Sequence, residues 1–202
     1  CCSHETQRMA NFWMHNGYLM VEGEKMSKSL GNFYTVNELL NEFPGEAIRL
    51  ALLSTHYRQP MNFSKTGIAE AKRKLDSWYR ALNDNIKAED ISSFSQLALA
   101  DDLNTPKAIA ELDALATRAR TNDSEAKKSL KSAAKMLGLL QQDPEVWFKG
   151  SQNDKSIENL IATRLEARKN KNFAESDRIR DELTKQGIIL EDNIEGTSWR
   201  RR

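Results

Sequence analysis

The residues of this chain best suited to chemistry are Lys25-Met26-Ser27-Lys28-Ser29, followed at once by Leu30-Gly31-Asn32. Two lysines on one short polar run carry compact positive charges on long flexible stems, able to reach a common anion. Ser27, Ser29 and Gly31 keep the turn small, polar and able to move. An anion is the fitting target, since placed ammonium groups stabilise negative charge as it grows. Lysine–serine runs are also common in solvated loops, so the flanking elements must decide between a clamp and an ordinary loop.

The flanks favour a clamp. Trp13 to Val21 reads as a strand rich in aromatic and apolar residues, and Glu22-Gly23 as a tight turn. The chain then returns through Glu24 and Lys25 into the lysine run. Thr35-Val36-Asn37-Glu38 has capping-box spacing and predicts a helix carrying Val36, Leu39, Leu40 and Phe43. The lysine loop is thus expected between a strand and a helix start. A lone hairpin is marginally stable. With Cys1 to Asn11 reading as the end of a helix entered from upstream, the chain is expected to be the carboxy-terminal part of a longer protein.

The 202 residues can hold one or two domains with a real core. Hydrophobic residues make up 39% and charged residues 29%, as in helix-rich proteins, and no apolar run approaches membrane-spanning length. The net charge of +1 gives no overall field for a polyanion, so any RNA must be recognised by local shape and a few placed contacts. The adjacent Cys1 and Cys2 make a poor disulfide and point to a reducing cytoplasm. Cys1, Cys2, His4 and Glu5 form a candidate metal cluster, but four near-consecutive residues suit tetrahedral ligation badly.

Helical periodicity continues beyond the loop. Gly45 to Tyr57 carries Ala47, Ile48, Ala51 and Leu52; Ser64 is an expected N-cap before the stripe Ile68, Ala71, Leu75, Trp78, Tyr79 and Leu82. After a polar stretch from Asn83 to Ser95, Thr105 as N-cap with Pro106 predicts another helix through Ile109, Leu112, Leu115 and Ala116. A further helix is expected to carry Ala126, Leu130, Ala133, Leu137 and Leu140, completing an antiparallel bundle. Phe148 to Ser156 reads as a linker. Two helices follow, marked by Ile157, Leu160, Ile161 and Leu165 and by Phe173, Ile179 and Leu183. Gly187 is the expected stop, with a hairpin of Ile188-Ile189-Leu190 and Gly196 to Arg200 beyond it.

Taken in order, Trp13-Met14-His15-Asn16-Gly17, Glu24 to Asn32, His56-Tyr57-Arg58-Gln59-Pro60, Asp101 to Pro106, Arg178 to Leu183, Leu190-Glu191-Asp192 and Gly196 to Arg200 resemble the carboxy-terminal part of bacterial cysteinyl-tRNA synthetases. The lysine run resembles the signature loop of class I aminoacyl-tRNA synthetases generally. The resemblance implies a mostly α fold: the end of a Rossmann-like catalytic domain (1–34), a helical stem-contact connection (35–63), a helical-bundle tRNA-binding domain (64–145), a linker (146–156) and a small α+β anticodon-binding module (157–202). It also implies ATP with Mg2+ as substrate, cysteine, cysteine tRNA as partner, a monomer, and Zn2+ in the full-length enzyme with its ligands outside this chain. No membrane partner is expected.

Carried over by position, Lys28 is the ATP-contacting lysine, Lys25 its partner in catalysis, and Ser27 and Ser29 shape the ATP-binding loop. His15 is expected to pack rather than to act as an acid or base. A cysteine anticodon begins with guanine, whose edge offers donors to a carboxylate and acceptors to a guanidinium. Arg168 and Asp177 flank the turn between the last two helices and are the expected readers, with Phe173 between them as a stacking platform. Asp192 and Trp199 are secondary candidates, and Arg200 to Arg202 are expected at phosphate if anywhere. Arg168 and Asp177 could instead form only a surface ion pair. The isolated chain is expected to be inactive. The competing readings are a stand-alone tRNA-binding module and the related cysteine ligase of mycothiol synthesis, which needs no anticodon module.

Overall fold

The computed structural model describes residues 9–21, 23–27, 29–82, 98–149, 155–193 and 196–201. Helices dominate and the sheets are small. The chain divides into two compact units, residues 1–141 and 142–202.

The first unit begins with a three-stranded sheet in the order β2-β1-β3: β1 (Leu19–Val21), β2 (Glu24–Lys25) and β3 (Met61–Phe63). β1 and β2 are antiparallel, with Met20 opposite Lys25; β1 and β3 are parallel, with Leu19 opposite Met61 and Val21 opposite Phe63. Gly23 takes a φ of +85° in the turn, a left-handed value that costs glycine nothing. The strand expected from Trp13 is shorter than its composition suggested. Among the described residues, Trp13, Met14 and Tyr18 remain exposed and no ladder covers residues 13–18. The hairpin is not alone, because β3 pairs with it. Three residues are too few to show an alternating pattern, which is why β3 has no signal in the sequence. Residues 9–12 are not helical, and the rest of the upstream helix expected over Cys1 to Asn11 lies outside the described residues, as does the candidate cluster Cys1, Cys2, His4 and Glu5.

Helices α1 (Val36–Leu40) and α2 (Gly45–Leu53) follow the loop. The capping box is formed: Glu38 N donates to Thr35 Oγ1 at 3.2 Å, and Thr35 N donates to Glu38 Oε2 at 2.8 Å. These bonds, the backbone one first, hold the Glu38 carboxyl below its usual range. Phe43 lies past the end of α1. α2 stops at Leu53 rather than Tyr57, because Ser54 Oγ donates back to the Leu50 carbonyl and the chain leaves the helix.

The bundle is built from α3 (Lys65–Ala81), α4 (Thr105–Ala119) and α5 (Ser124–Met136). Ser64 caps α3 by accepting from Gly67 N at 3.1 Å. The predicted stripe of α3 is buried throughout: Ile68, Ala71, Leu75, Trp78, Tyr79 and Leu82. Each large apolar side chain removed from water contributes about 1.5–3 kcal/mol before entropy is counted. α4 is capped one residue earlier than expected: Asn104 Oδ1 accepts from Lys107 N at 3.1 Å, so Thr105 becomes the first helical residue and Pro106 the second. An asparagine at this position is as good a cap as any residue, and it outcompetes the threonine after it.

α5 ends at Met136, short of Leu137 and Leu140, yet both leucines are buried. Its terminus is bolted by α2. Arg49 Nε donates to the Leu137 carbonyl at 2.5 Å, and Gly138 turns the chain at φ +67°. The Glu46 carboxylate accepts from Tyr79 Oη at 3.0 Å, Leu140 N at 2.9 Å and Gln141 N at 3.1 Å. The polar stretch from Asn83 to Ser95 lies outside the described residues.

The second unit comprises α6 (Pro144–Lys149), α7 (Lys155–Lys169), α8 (Phe173–Lys185), β4 (Ile188–Asn193) and β5 (Gly196–Arg201). The expected linker is partly helical: Asp143 Oδ1 accepts from Glu145 N at 2.8 Å, and α6 runs through Phe148 to Lys149. β4 and β5 form an antiparallel hairpin with Leu190 opposite Trp199 and Asp192 opposite Thr197. Ile157 and Ile161 of α7, Ile179 and Leu183 of α8, Ile188 and Trp199 make the core. Gly187, at φ +75°, ends α8 as predicted.

Candidate functional sites

The lysine loop is shaped by its serines and by one residue that sequence reasoning left without a role. Asn32 Oδ1 accepts from Ser27 N at 3.0 Å, while Asn32 Nδ2 donates to the Lys25 carbonyl at 3.3 Å. A single amide thus ties both ends of the turn. Inside it, Ser27 Oγ lies 3.2 Å from Ser29 Oγ and accepts from Leu30 N at 3.3 Å. Met26 N donates to the Leu19 carbonyl at 3.1 Å, fastening the loop to β1. Gly31 takes φ +64° as the chain leaves the turn. Lys25 sits exposed at the end of β2. Lys28 lies outside the described residues. Beside the loop, Val21, Glu24, Gly31, Asn32, Phe33 and Tyr34 line a small cleft. The arrangement can present lysine charge from a tied turn to an anion. The ring of His15 stacks on Trp13 at 6.5 Å between centroids.

Two of the stretches that carry the resemblance meet in space. Tyr57 Oη donates to Asp102 Oδ1 at 2.6 Å, and Arg58 Nε lies 3.0 Å from Asp102 Oδ2. His56 Nε2 approaches the Asp102 carbonyl at 2.9 Å. Asp102 and Leu103 both have positive φ, +52° and +53°, which for a leucine is backbone strain held by its surroundings. The loop after α2 and the loop before α4 are therefore locked together.

In the second unit Arg168 pairs with Asp192, and the alternative reading of a surface ion pair with Asp177 is not realised. Arg168, at the end of α7, donates from Nη1 to Asp192 Oδ2 at 3.1 Å, and no ion pair joins it to Asp177 among the described residues. Asp192 is the hub. Arg164, one helical turn before Arg168, grips it with a two-pronged pair: Nη1 to Oδ1 at 3.1 Å and Nη2 to Oδ2 at 3.0 Å. Thr197 Oγ1 donates to Asp192 Oδ1 at 2.6 Å from across the hairpin. A carboxylate offers about four acceptor positions. All are used, so a ligand addressing Asp192 must take over one of them. Arg164, Thr197 and Arg168 hold the Asp192 carboxyl well below the usual range, with the Arg164 bond the largest cause. Asp177 faces the same cluster: after the bond to Asp192, its charge also helps to raise the Arg164 pKa.

Arg164 is what sequence reasoning missed. Its side chain is only 7% exposed, and its Nε is buried with no acceptor among the described residues. A buried donor left so costs about 1–3 kcal/mol, a sign that the group is held for its position. The available signal was its i, i+4 spacing from Arg168, which places both on one helix face. Phe173 is 63% exposed at the first position of α8, free to offer a ring face. Trp199 is not: at 6% exposure it is part of the core, with Lys149 Nζ 5.7 Å from the ring centre. Stacking on a base needs an open ring face, and in this structure the Trp199 ring packs in the core. Arg200 Nε is engaged by Glu191 Oε1 at 2.8 Å, and Arg201 Nε donates to the Lys149 carbonyl at 3.1 Å. Arg202 lies outside the described residues.

Comparison with known proteins places the chain among the class I tRNA synthetases. Residues 1–73 match the family described as tRNA synthetases class I (C) catalytic domain, and residues 95–142 match the DALR domain. Residues 153–200 match the cysteinyl-tRNA ligase anticodon binding domain. The cysteine–tRNA ligase of Rhodospirillum centenum is 54% identical over 212 residues, covering 99% of this chain and 46% of the relative. Those of Paramagnetospirillum magneticum and Parvibaculum lavamentivorans are 50% and 49% identical, over 95% and 98% of the chain. The chain belongs to the cysteinyl-tRNA synthetase family, and it spans just under half the length of these relatives.

Proposed function

We propose that this chain supplies the phosphate-contacting loop and the tRNA-binding parts of a cysteine–tRNA ligase, which activates cysteine with ATP and transfers it to its tRNA. The observation that carries the reading is similarity near 50% along essentially the whole chain, from the catalytic-domain match to the anticodon-binding match. The anticodon-binding match over residues 153–200 favours tRNA over an amino sugar as acceptor. In this reading residues 1–34 belong to the catalytic domain, 35–63 connect, 64–145 form the tRNA-binding bundle, and the module after the linker reads the anticodon.

Lys28 and Lys25 meet the ATP phosphates, with Mg2+ accompanying the nucleotide, and their ammonium groups stabilise the pyrophosphate as it leaves. Ser27, Ser29 and Asn32 fix the turn that carries them. The carboxylate of cysteine is already a nucleophile and needs no side-chain base here. Arg168 and Asp177 address the edge of the first anticodon guanine, Phe173 stacks on a base, and Asp192 acts within the same cluster. Among the described residues no group of three or more His, Cys, Asp and Glu could hold a metal ion; in this reading the Zn2+ of the full-length enzyme is held by residues outside this chain. No helix among them is long and apolar enough to cross a membrane. The proposed ligase works in the cytoplasm as a monomer.

The test is binding of the 202-residue chain to cysteine tRNA and to the same tRNA with its first anticodon base changed, at one fixed salt concentration, since phosphate contacts vary steeply with salt. Loss of affinity on changing that guanine, reproduced by Arg168→Ala, is the expected result. Equal binding of both tRNAs removes the anticodon assignment. The isolated chain should form no cysteinyl-adenylate, and detectable synthesis would overturn the view that this piece lacks part of the active site.

A further inference from the structure

The Arg164–Asp192–Arg168 arrangement has an order of dependence. Arg168 reaches the module through one hydrogen bond to Asp192 Oδ2, and the remaining donors of its half-exposed guanidinium have no partner among the described residues. That one directional bond is the contact that orients the guanidinium, so its angle follows the position of the carboxylate. The carboxylate in turn is fixed by the two prongs of Arg164 and by Thr197 Oγ1. Arg164 is buried on α7 and Asp192 lies on β4, so this pair also pins the hairpin to the helix that carries Arg168. Arg164 itself is too enclosed to touch a nucleotide.

From this geometry we infer that Arg164 is a specificity-determining positioning residue: it orients Asp192, and through Asp192 the exposed guanidinium of Arg168, for reading a base edge. The inference rests on the anticodon reading proposed above. Among the described residues the Arg164 Nε has no acceptor, and the two nitrogens that are bonded both go to Asp192. Lysine could neutralise Asp192 as well, but as a point charge it cannot grip both oxygens in one plane. Base discrimination demands that plane. Nonspecific attraction to phosphate does not, because it depends on charge alone.

The experiment uses the whole chain and two tRNAs, cysteine tRNA and its first-anticodon-base variant, at several salt concentrations. In Arg164→Lys the ratio of the two affinities should fall by about tenfold, the scale of one good base-edge contact, while the salt slope stays as in the wild type. Thermal unfolding confirms that the variant is folded. If Arg164→Lys does not fold, Thr197→Val loosens the same carboxylate from the exposed side and should lower the ratio about threefold, a fraction of one base-edge contact. A folded Arg164→Lys, or failing that Thr197→Val, that discriminates like the wild type overturns the inference. If Arg168→Ala still loses discrimination in that case, the anticodon reading stands without it. A wild-type chain that does not discriminate overturns both.

Discussion

A Cβ placed on Gly17 would lie 2.1 Å from the carbonyl oxygen of Gln59, and Gly17 N already donates to the Tyr57 carbonyl at 2.7 Å. The segment leading into β1 and the loop leading into β3 therefore touch backbone to backbone. No side chain fits between them. This close approach sets the parallel pairing of β1 with β3, and β1 in turn anchors the lysine loop through Met26.

Gly17→Ala should force these backbones apart. The obstacle is main chain, which cannot swing aside, so the expected cost is at the upper end of overpacking, about 2–3 kcal/mol or more. Denaturant unfolding of the chain measures it. A variant as stable as the wild type would show that the loops part freely.

Asn32→Ala removes both ties across the lysine turn, to Ser27 N and the Lys25 carbonyl. Both groups are near the surface and water can replace the lost bonds, so stability should change by no more than about 1 kcal/mol. Cysteine-dependent pyrophosphate exchange by the full-length ligase should fall at least tenfold, because the turn loses the ties at Lys25 and Ser27. Unchanged exchange would make the clasp irrelevant to the chemistry.

Phe173→Ala deletes an exposed ring that supports nothing in the core. Affinity for cysteine tRNA should weaken by about 1–3 kcal/mol, the range for a base stacked on an aromatic side chain. Unfolding of the chain should be almost unchanged. A loss of stability with no loss of affinity would assign the ring to packing.

Asp192 gives the second unit a defined response to acid. Its carboxyl is held well below the usual range, mainly by Arg164. A lowered folded value means that the ionised form stabilises the fold. That contribution is complete above the unfolded value, near pH 4, and is lost progressively as pH falls toward the folded value. Asp192→Asn should flatten the fall in stability below about pH 4 and leave the slope between pH 6 and 8 unchanged. Acid titrations of both proteins, followed by near-ultraviolet dichroism of the Trp199 region, check it. Parallel acid curves would exclude the cluster as the source.

The sequence by itself determined the local events. Thr35 and Glu38 close a capping box because their spacing brings each side chain to the other's backbone. The α3 stripe is buried because its apolar residues recur once per turn. The lysine run and Gly187 are equally local, and so is their reading. What only the tertiary structure decided involves partners far apart in the chain or elements too short for a period. β3 became a strand because β1 offered it a free edge. Trp199, which the sequence presented as a possible base contact, went into the core because its register opposite Leu190 turns it toward α7 and α8. Arg168 found Asp192 rather than Asp177, because the hairpin carries Asp192 back over α7, where Arg164 waits to hold it. Period and capping are written in neighbouring residues; the choice among several acids for one arginine is made by the fold that brings one of them within 3.1 Å.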